Sequence, residues 1–158
     1  MKKPKKIHRK AVRYMEDIHN DGWDFLPPLA TLEFNNRLRA LAEVLCRIPH
    51  EDYVMINDAT FGKFIFNIPR FLDNRLGSVT YHGESPYYGT VYLSPKLESE
   101  PYEIAVYVVA HEFAHIVLVH HTQNCDSYGF YLGEREADKK VSDWGFKKEW
   151  RMFHKPSE

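Results

Sequence analysis

The sequence predicts an α+β fold: a small antiparallel or mixed sheet packed on one central helix, with a second helix beside it. Three observations lead there. Ile104–Val119 is apolar nearly all round, too long for a strand and patterned like a helix buried on most sides. Ser78–His82 and Gly89–Leu93 are rich in β-branched and aromatic residues and flank "GESPYYG"; strands joined by such a Gly/Pro stretch read as a hairpin. Phe34, Leu38, Leu41, Leu45 and Ile48 recur at spacings of four and three, which lines one face of a helix.

The remaining elements follow in chain order. Ala11–His19 reads as a short helix closed by Gly22, and Pro49 stops the Phe34–Ile48 helix. Tyr53–Asn57 and Phe64–Ile68 read as strands. In the central helix, Pro101 fits the first position and Glu103 the third, where a carboxylate favours exposed N–H groups. Residues 122–133 read as a loop containing Gly129 and Gly133. A last helix starts at about Glu134, stops at Gly145, and is followed by a basic and aromatic tail.

At 158 residues, 44% hydrophobic and 27% charged, the chain is sized for one core. That domain is expected over 15–158. Residues 1–14 carry Lys2, Lys3, Lys5, Lys6, Arg9, Lys10 and Arg13 and no acid, which leaves fourteen bases against twenty-two acids in the rest. Such an arm is either a disordered, solvated terminus or a contact for nucleic acid or another acidic partner. No apolar run follows it, so it is not a secretory leader. His111, Glu112 and His115 break the longest apolar stretch, so no membrane span is expected. Cys46 and Cys125 form neither a disulfide framework nor a paired metal motif, which fits a reducing, cytoplasmic setting.

The chemistry is concentrated in "HEFAHIVLVHH", residues 111–121. Residues four apart lie one above the other on a helix, so His111 and His115 can converge on one ion. Glu112 lies beside the first of them, within reach of a water on that ion without being a ligand. Buried in an apolar helix, these polar groups need partners, and a metal is one.

Three positions compete for the third ligand. His121 has the spacing of the metzincin HExxHxxGxxH pattern, but Leu118 stands where that pattern turns at glycine. A helix continuing through Leu118 points His121 about 60° away and carries it roughly 9 Å beyond His115; His120 faces another side. At a helix end, cationic His120 and His121 suit the dipole. The other candidate is Glu134, which shares a helix face with Asp138 at i, i+4; Ala137 is small where the two helices must approach. A carboxylate from a second helix completes a His₂Glu site, and Asp138 can accept the free N–H of a ligating histidine. Glu136 points elsewhere.

"HEFAH…GEREAD" resembles the HExxH…ExxxD pattern of gluzincin zinc metallopeptidases. The nearest in size and element order are the ImmA/IrrE-like proteins, more distantly the SprT-like group and the HtpX-type catalytic core. The resemblance covers about residues 78–145 and implies a zincin-like fold. It implies His111, His115 and Glu134 as zinc ligands, Glu112 as general base and Asp138 as supporting acid. SprT-like proteins use a third histidine, and none lies between His121 and His154; HtpX-type proteins are membrane-bound.

The expected activity is zinc-dependent endopeptidase cleavage of an intracellular protein or peptide, with Glu112 taking the proton of a water whose pKa zinc lowers toward ~7. Tyr128, Tyr131, His120 and His121 are the candidates for the oxyanion donor or for substrate contacts. Gly89–Leu93 is the candidate edge strand for an extended substrate. Two rival readings are a protease tethered to nucleic acid through residues 1–14 and a non-catalytic zincin-fold binding module. The intact Glu112 speaks against the second.

Overall fold

Helix α1, Asn36–Arg47, begins on a carboxylate from far along the chain. Glu98 accepts the backbone N–H of Asn36 at 2.8 Å and of Arg37 at 3.3 Å. The donors of a helix's first turn have no partner within the helix, and an anion there is doubly suited because the helix dipole is positive at that end. The Arg37 side chain closes the arrangement, with Nε 2.8 Å from Glu98 and an N–H on the Leu93 carbonyl. At the other end Arg47 binds Glu149 at 2.8 Å and the Gly145 carbonyl at 2.9 Å, and lies over the Phe146 ring. The four-and-three apolar spacing is borne out by Leu38, Leu41, Leu45 and Ile48, all buried.

The computed structural model describes residues 36–60, 64–65, 75–82, 88–118 and 127–155. The expected Ala11–His19 helix, the basic arm, "GESPY", His120, His121 and Cys125 lie outside them.

Helix α2, His50–Thr60, corrects the reading of Tyr53–Asn57 as a strand. Tyr53 and Ile56 are buried while Val54 and Met55 are about 40% exposed, a period of three rather than two. The β-forming side chains of "YVMI" favoured a strand, but Glu51 and Asp52 in the first turn and the Tyr53 N–H on the Pro49 carbonyl set a helix. The proline that stops α1 therefore also starts α2.

Strand β1 is Phe64–Ile65, β2 is Gly77–His82 and β3 is Tyr88–Leu93. The hairpin expected from sequence is present: β2 and β3 pair antiparallel from Gly77↔Leu93 to His82↔Tyr88. β1 pairs parallel to β3, so the sheet order is β1-β3-β2. Val91 and Leu93 are fully buried with the half-buried Tyr92 between them, the alternation of a strand on a core. Because β3 is central, Gly89–Leu93 is not the edge strand expected; it pairs with β2 throughout and with β1 at Val91 and Tyr92.

A 3₁₀ turn, Pro95–Glu98, capped by Ser94, leads to helix α3, Tyr102–Val117. Pro101 is its N-cap, one position before the place expected, so Glu103 is the second helical residue. Ala105 to Ala114 are buried without a break. α3 is the core of the fold, packed by α1 and α2, by the sheet, and by the helices that follow.

Helix α4 is Ser127–Asp143, seven residues longer at its start than the helix expected from Glu134. Gly129 and Gly133 suggested a loop, since glycine costs a helix about 1 kcal/mol. Tertiary packing overrides that cost: Gly133 and Ala137 are buried one turn apart on the same helix face. The expected stop at Gly145 holds. Its φ is +93°, its N–H bonds the Ser142 carbonyl, and the Phe146 N–H bonds the Val141 carbonyl, a Schellman cap with buried Phe146 and Val141 at its ends. The "tail" is a further helix, α5, Lys147–Phe153. The described part is thus α+β, mostly helical with a small sheet. Among the described residues, no helix is long and apolar enough to cross a membrane.

Candidate metal centre

α3 and α4 each present one turn of polar side chains to the other. His111 and His115 lie on one face of α3 because they are four apart. Glu134 and Asp138 lie on one face of α4 for the same reason. The fully buried Ala137 between the two acids keeps the contact short.

The donor atoms converge. His111 Nε2 is 3.0 Å from Glu134 Oε2, His115 Nε2 is 3.0 Å from Glu134 Oε1, and the two imidazole nitrogens are 3.1 Å apart. One donor atom from each residue fits within 4.8 Å of the others. A tetrahedral zinc ion with ligands at ~2.0–2.1 Å separates its donors by roughly 3.3 Å. Two imidazoles and one carboxylate are a donor set that a zinc ion accepts. The residues present therefore fit the ion in number, chemistry and spacing.

Behind this triad lies a second set of hydrogen bonds. His111 Nδ1 is 3.0 Å from Asp138 Oδ1, the supporting position expected for Asp138. Tyr107, one turn before His111, donates its hydroxyl to the same oxygen at 2.5 Å and lies 3.2 Å from His111 Nδ1. His154, at the end of α5, places Nε2 3.2 Å from the Tyr107 hydroxyl and 3.4 Å from Asp138 Oδ2. Sequence reasoning missed both. For Tyr107 the signal existed: the i, i+4 rule that pairs His111 with His115 also points backwards to Tyr107. For His154 none existed, because α5 was not recognised as a helix.

The electrostatics follow from burial and neighbours. Burial by itself lowers the His111 pKa, but hydrogen bonds to Asp138 and Glu134 and the charges of Glu112 and Glu134 outweigh it and push it up to about 10. Burial raises Glu134, and the hydrogen bonds from His111 and His115 more than offset this, holding its carboxyl well below the usual range. Asp138 is likewise held low against burial by His111 and Tyr107. The Trp150 indole N–H finds no acceptor in hydrogen-bond geometry, although it lies near enough to Asp138 to favour the carboxylate. Tyr107 is pushed well above its ordinary value, first by burial and then by its bond to Asp138, so it keeps its proton. Glu112 is raised by burial, which His111 and His115 only partly oppose.

Glu112 sits where β2 meets α3. A methyl group on Gly77 would lie 3.1 Å from Glu112 Cγ and Oε1 and 2.6 Å from Val108 Cγ1. Glycine leaves room for the strand beside Glu112 and Val108.

The other expected residues are placed as follows. Glu136 is exposed, as expected. The backbones of Tyr128 and Tyr131 belong to α4; their side chains lie outside the described part. α3 ends at Val117, and Leu118 caps it with φ −81° and ψ 0°, its N–H on the Ala114 carbonyl. The helix thus does not continue through Leu118 as expected, so the continuation argument against His121 does not stand. What favours Glu134 is its distance to the two histidines.

Compared with protein-family models, curated proteins and solved structures, the chain gives no significant match in any of the three.

Proposed function

We propose that the chain is a zinc-dependent endopeptidase with a zincin-like fold and a gluzincin-type site. The single observation that carries this reading is the convergence of His111, His115 and Glu134 from two helices beside the buried Glu112. His111 Nε2, His115 Nε2 and a Glu134 oxygen would hold the ion. Bound there, zinc supplies Lewis-acid polarisation of the scissile carbonyl and a lowered water pKa.

The chain's own residues account for the rest. Glu112 is 8% exposed and its pKa is raised by burial, which suits a carboxylate that must take a proton from water and return it to the leaving amine near neutral pH. Asp138 holds His111 in the orientation that aims Nε2 at the site.

The substrate strand is reassigned. Among the described residues β2 is a sheet edge, and its first residue, Gly77, faces Glu112. An extended peptide adding to β2 by backbone pairing brings its carbonyls past Glu112.

The test is cleavage of an unfolded protein substrate by the zinc-loaded chain, beside Glu112→Gln. Cleavage that a chelator stops, that zinc restores and that Glu112→Gln lacks supports the reading. A zinc-loaded chain with no cleavage of any unfolded substrate would move it to the binding-module alternative.

A further inference from the structure

The Tyr107 hydroxyl touches three groups and has one proton to give. The O–H points to Asp138 Oδ1 at 2.5 Å, so that proton is committed there. The Tyr107 oxygen is therefore an acceptor for its other two neighbours, His111 Nδ1 and His154 Nε2, each at 3.2 Å. His111 Nδ1 then faces two acceptors, Tyr107 Oη and Asp138 Oδ1, and must carry a proton. In the metal-free chain Nε2 also faces an acceptor, Glu134 Oε2 at 3.0 Å; an ion in the site would take the place of a proton there and receive the Nε2 lone pair. His154 Nε2 also faces two acceptors, Tyr107 Oη and Asp138 Oδ2 at 3.4 Å, and is a donor to both. The Phe153 ring stacks on Tyr107 at 4.3 Å between centroids, and Trp150 lies against His154 at 4.6 Å.

We propose that Tyr107 and His154 are positioning residues of the metal centre: Tyr107 fixes the proton of His111 on Nδ1, and His154 on α5 fixes Tyr107 and Asp138. The C-terminal helix is thereby part of the site without touching the ion. This rests on the zinc reading of His111, His115 and Glu134. Tyr107 acts through His111 Nδ1 and Asp138, and His154 through Tyr107 and Asp138.

Outer partners of ligating histidines typically contribute 10–100-fold in metal affinity. Tyr107→Phe keeps the ring against Phe153 and removes only the hydroxyl. The experiment is competition for zinc against a chromophoric chelator on wild type, Tyr107→Phe, His154→Ala and His154→Gln, with thermal melts of each metal-free chain. Tyr107→Phe is expected to bind one zinc roughly tenfold more weakly. His154→Ala should weaken binding and His154→Gln, which keeps an N–H donor, should recover most of it. A loss under about threefold in Tyr107→Phe overturns the Tyr107 assignment. Equal binding by His154→Ala and wild type overturns that of His154.

Nitrogen-15 NMR of zinc-loaded wild type needs no variant: a proton on His111 Nδ1 is expected, and a proton on Nε2 overturns the proposal even if Tyr107→Phe does not fold. A wild type that takes up no zinc overturns the zinc reading and this proposal together. A wild type and a Tyr107→Phe chain that load equally overturn this proposal alone.

Discussion

Gly77 faces Glu112 across the junction of β2 and α3, and a methyl group on the glycine would lie 3.1 Å from the carboxylate's Oε1. The same methyl would lie 2.6 Å from Val108 Cγ1, a β-branched side chain with little rotamer freedom inside a helix. Gly77→Ala therefore forces the strand or Val108 to move. Overpacking of this kind costs about 1–3 kcal/mol, measurable in urea melts. Because the added methyl would meet Glu112 and Val108, with no ligand among its nearest atoms, the proposed function predicts that proteolysis falls while zinc content stays near that of wild type. An equal loss of both would show that the strain spreads to the triad.

Glu112→Gln separates the base from the ion. The amide is isosteric and cannot take a proton, so cleavage should fall by about 10²–10⁴-fold with zinc stoichiometry unchanged. Full proteolytic activity in Glu112→Gln would remove the mechanism, whatever the metal content.

The metal-free chain should show a pH-dependent stability whose sign follows from the triad. His111 is raised from 6.5 to about 10, so its contribution is complete below pH 6.5 and is lost as pH rises toward 10. Glu134 and Asp138 are lowered from 4.5 and 3.8, so theirs are present above those values and lost on acidification below them. Melting temperature in chelator should fall from pH 6.5 to 10. A midpoint that is flat or rising over that window would contradict the charged His111–Glu134–Asp138 cluster.

The helical assignment of α2 is open to the same kind of check. Ile56 is 1% exposed and Met55 40%. Ile56→Ala should cost about 2–5 kcal/mol and Met55→Ala no more than about 0.5 kcal/mol. Comparable losses would mean that the stretch does not pack with the period seen.

Much of this architecture was legible where one local rule acted alone. The spacing of Leu38, Leu41 and Leu45, the all-apolar surround of His111 and His115, and Gly145 past the end of α4 each describe one element. The failures occurred where distant packing decided. "YVMI" carries strand-forming side chains, and only the burial of Tyr53 and Ile56 on one side shows the helix. Gly133 looks like a loop residue until its burial within α4 is seen. The same applies to the site. His111, Glu112, His115, Glu134 and Asp138 could be proposed from spacing, because each pair sits within one helical turn. His154 could not, because its place beside Asp138 depends on the turn at Gly145 and on a helix that the basic and aromatic tail did not announce.

The measurement that tests the central claim most directly is zinc per chain, by elemental analysis after reconstitution, on wild type, Glu134→Ala and His121→Ala side by side. The account predicts about one zinc per chain in wild type and His121→Ala, and a sharp loss in Glu134→Ala. Zinc retained by Glu134→Ala and lost from His121→Ala would contradict it, and would make the third ligand a residue beyond the cap at Leu118.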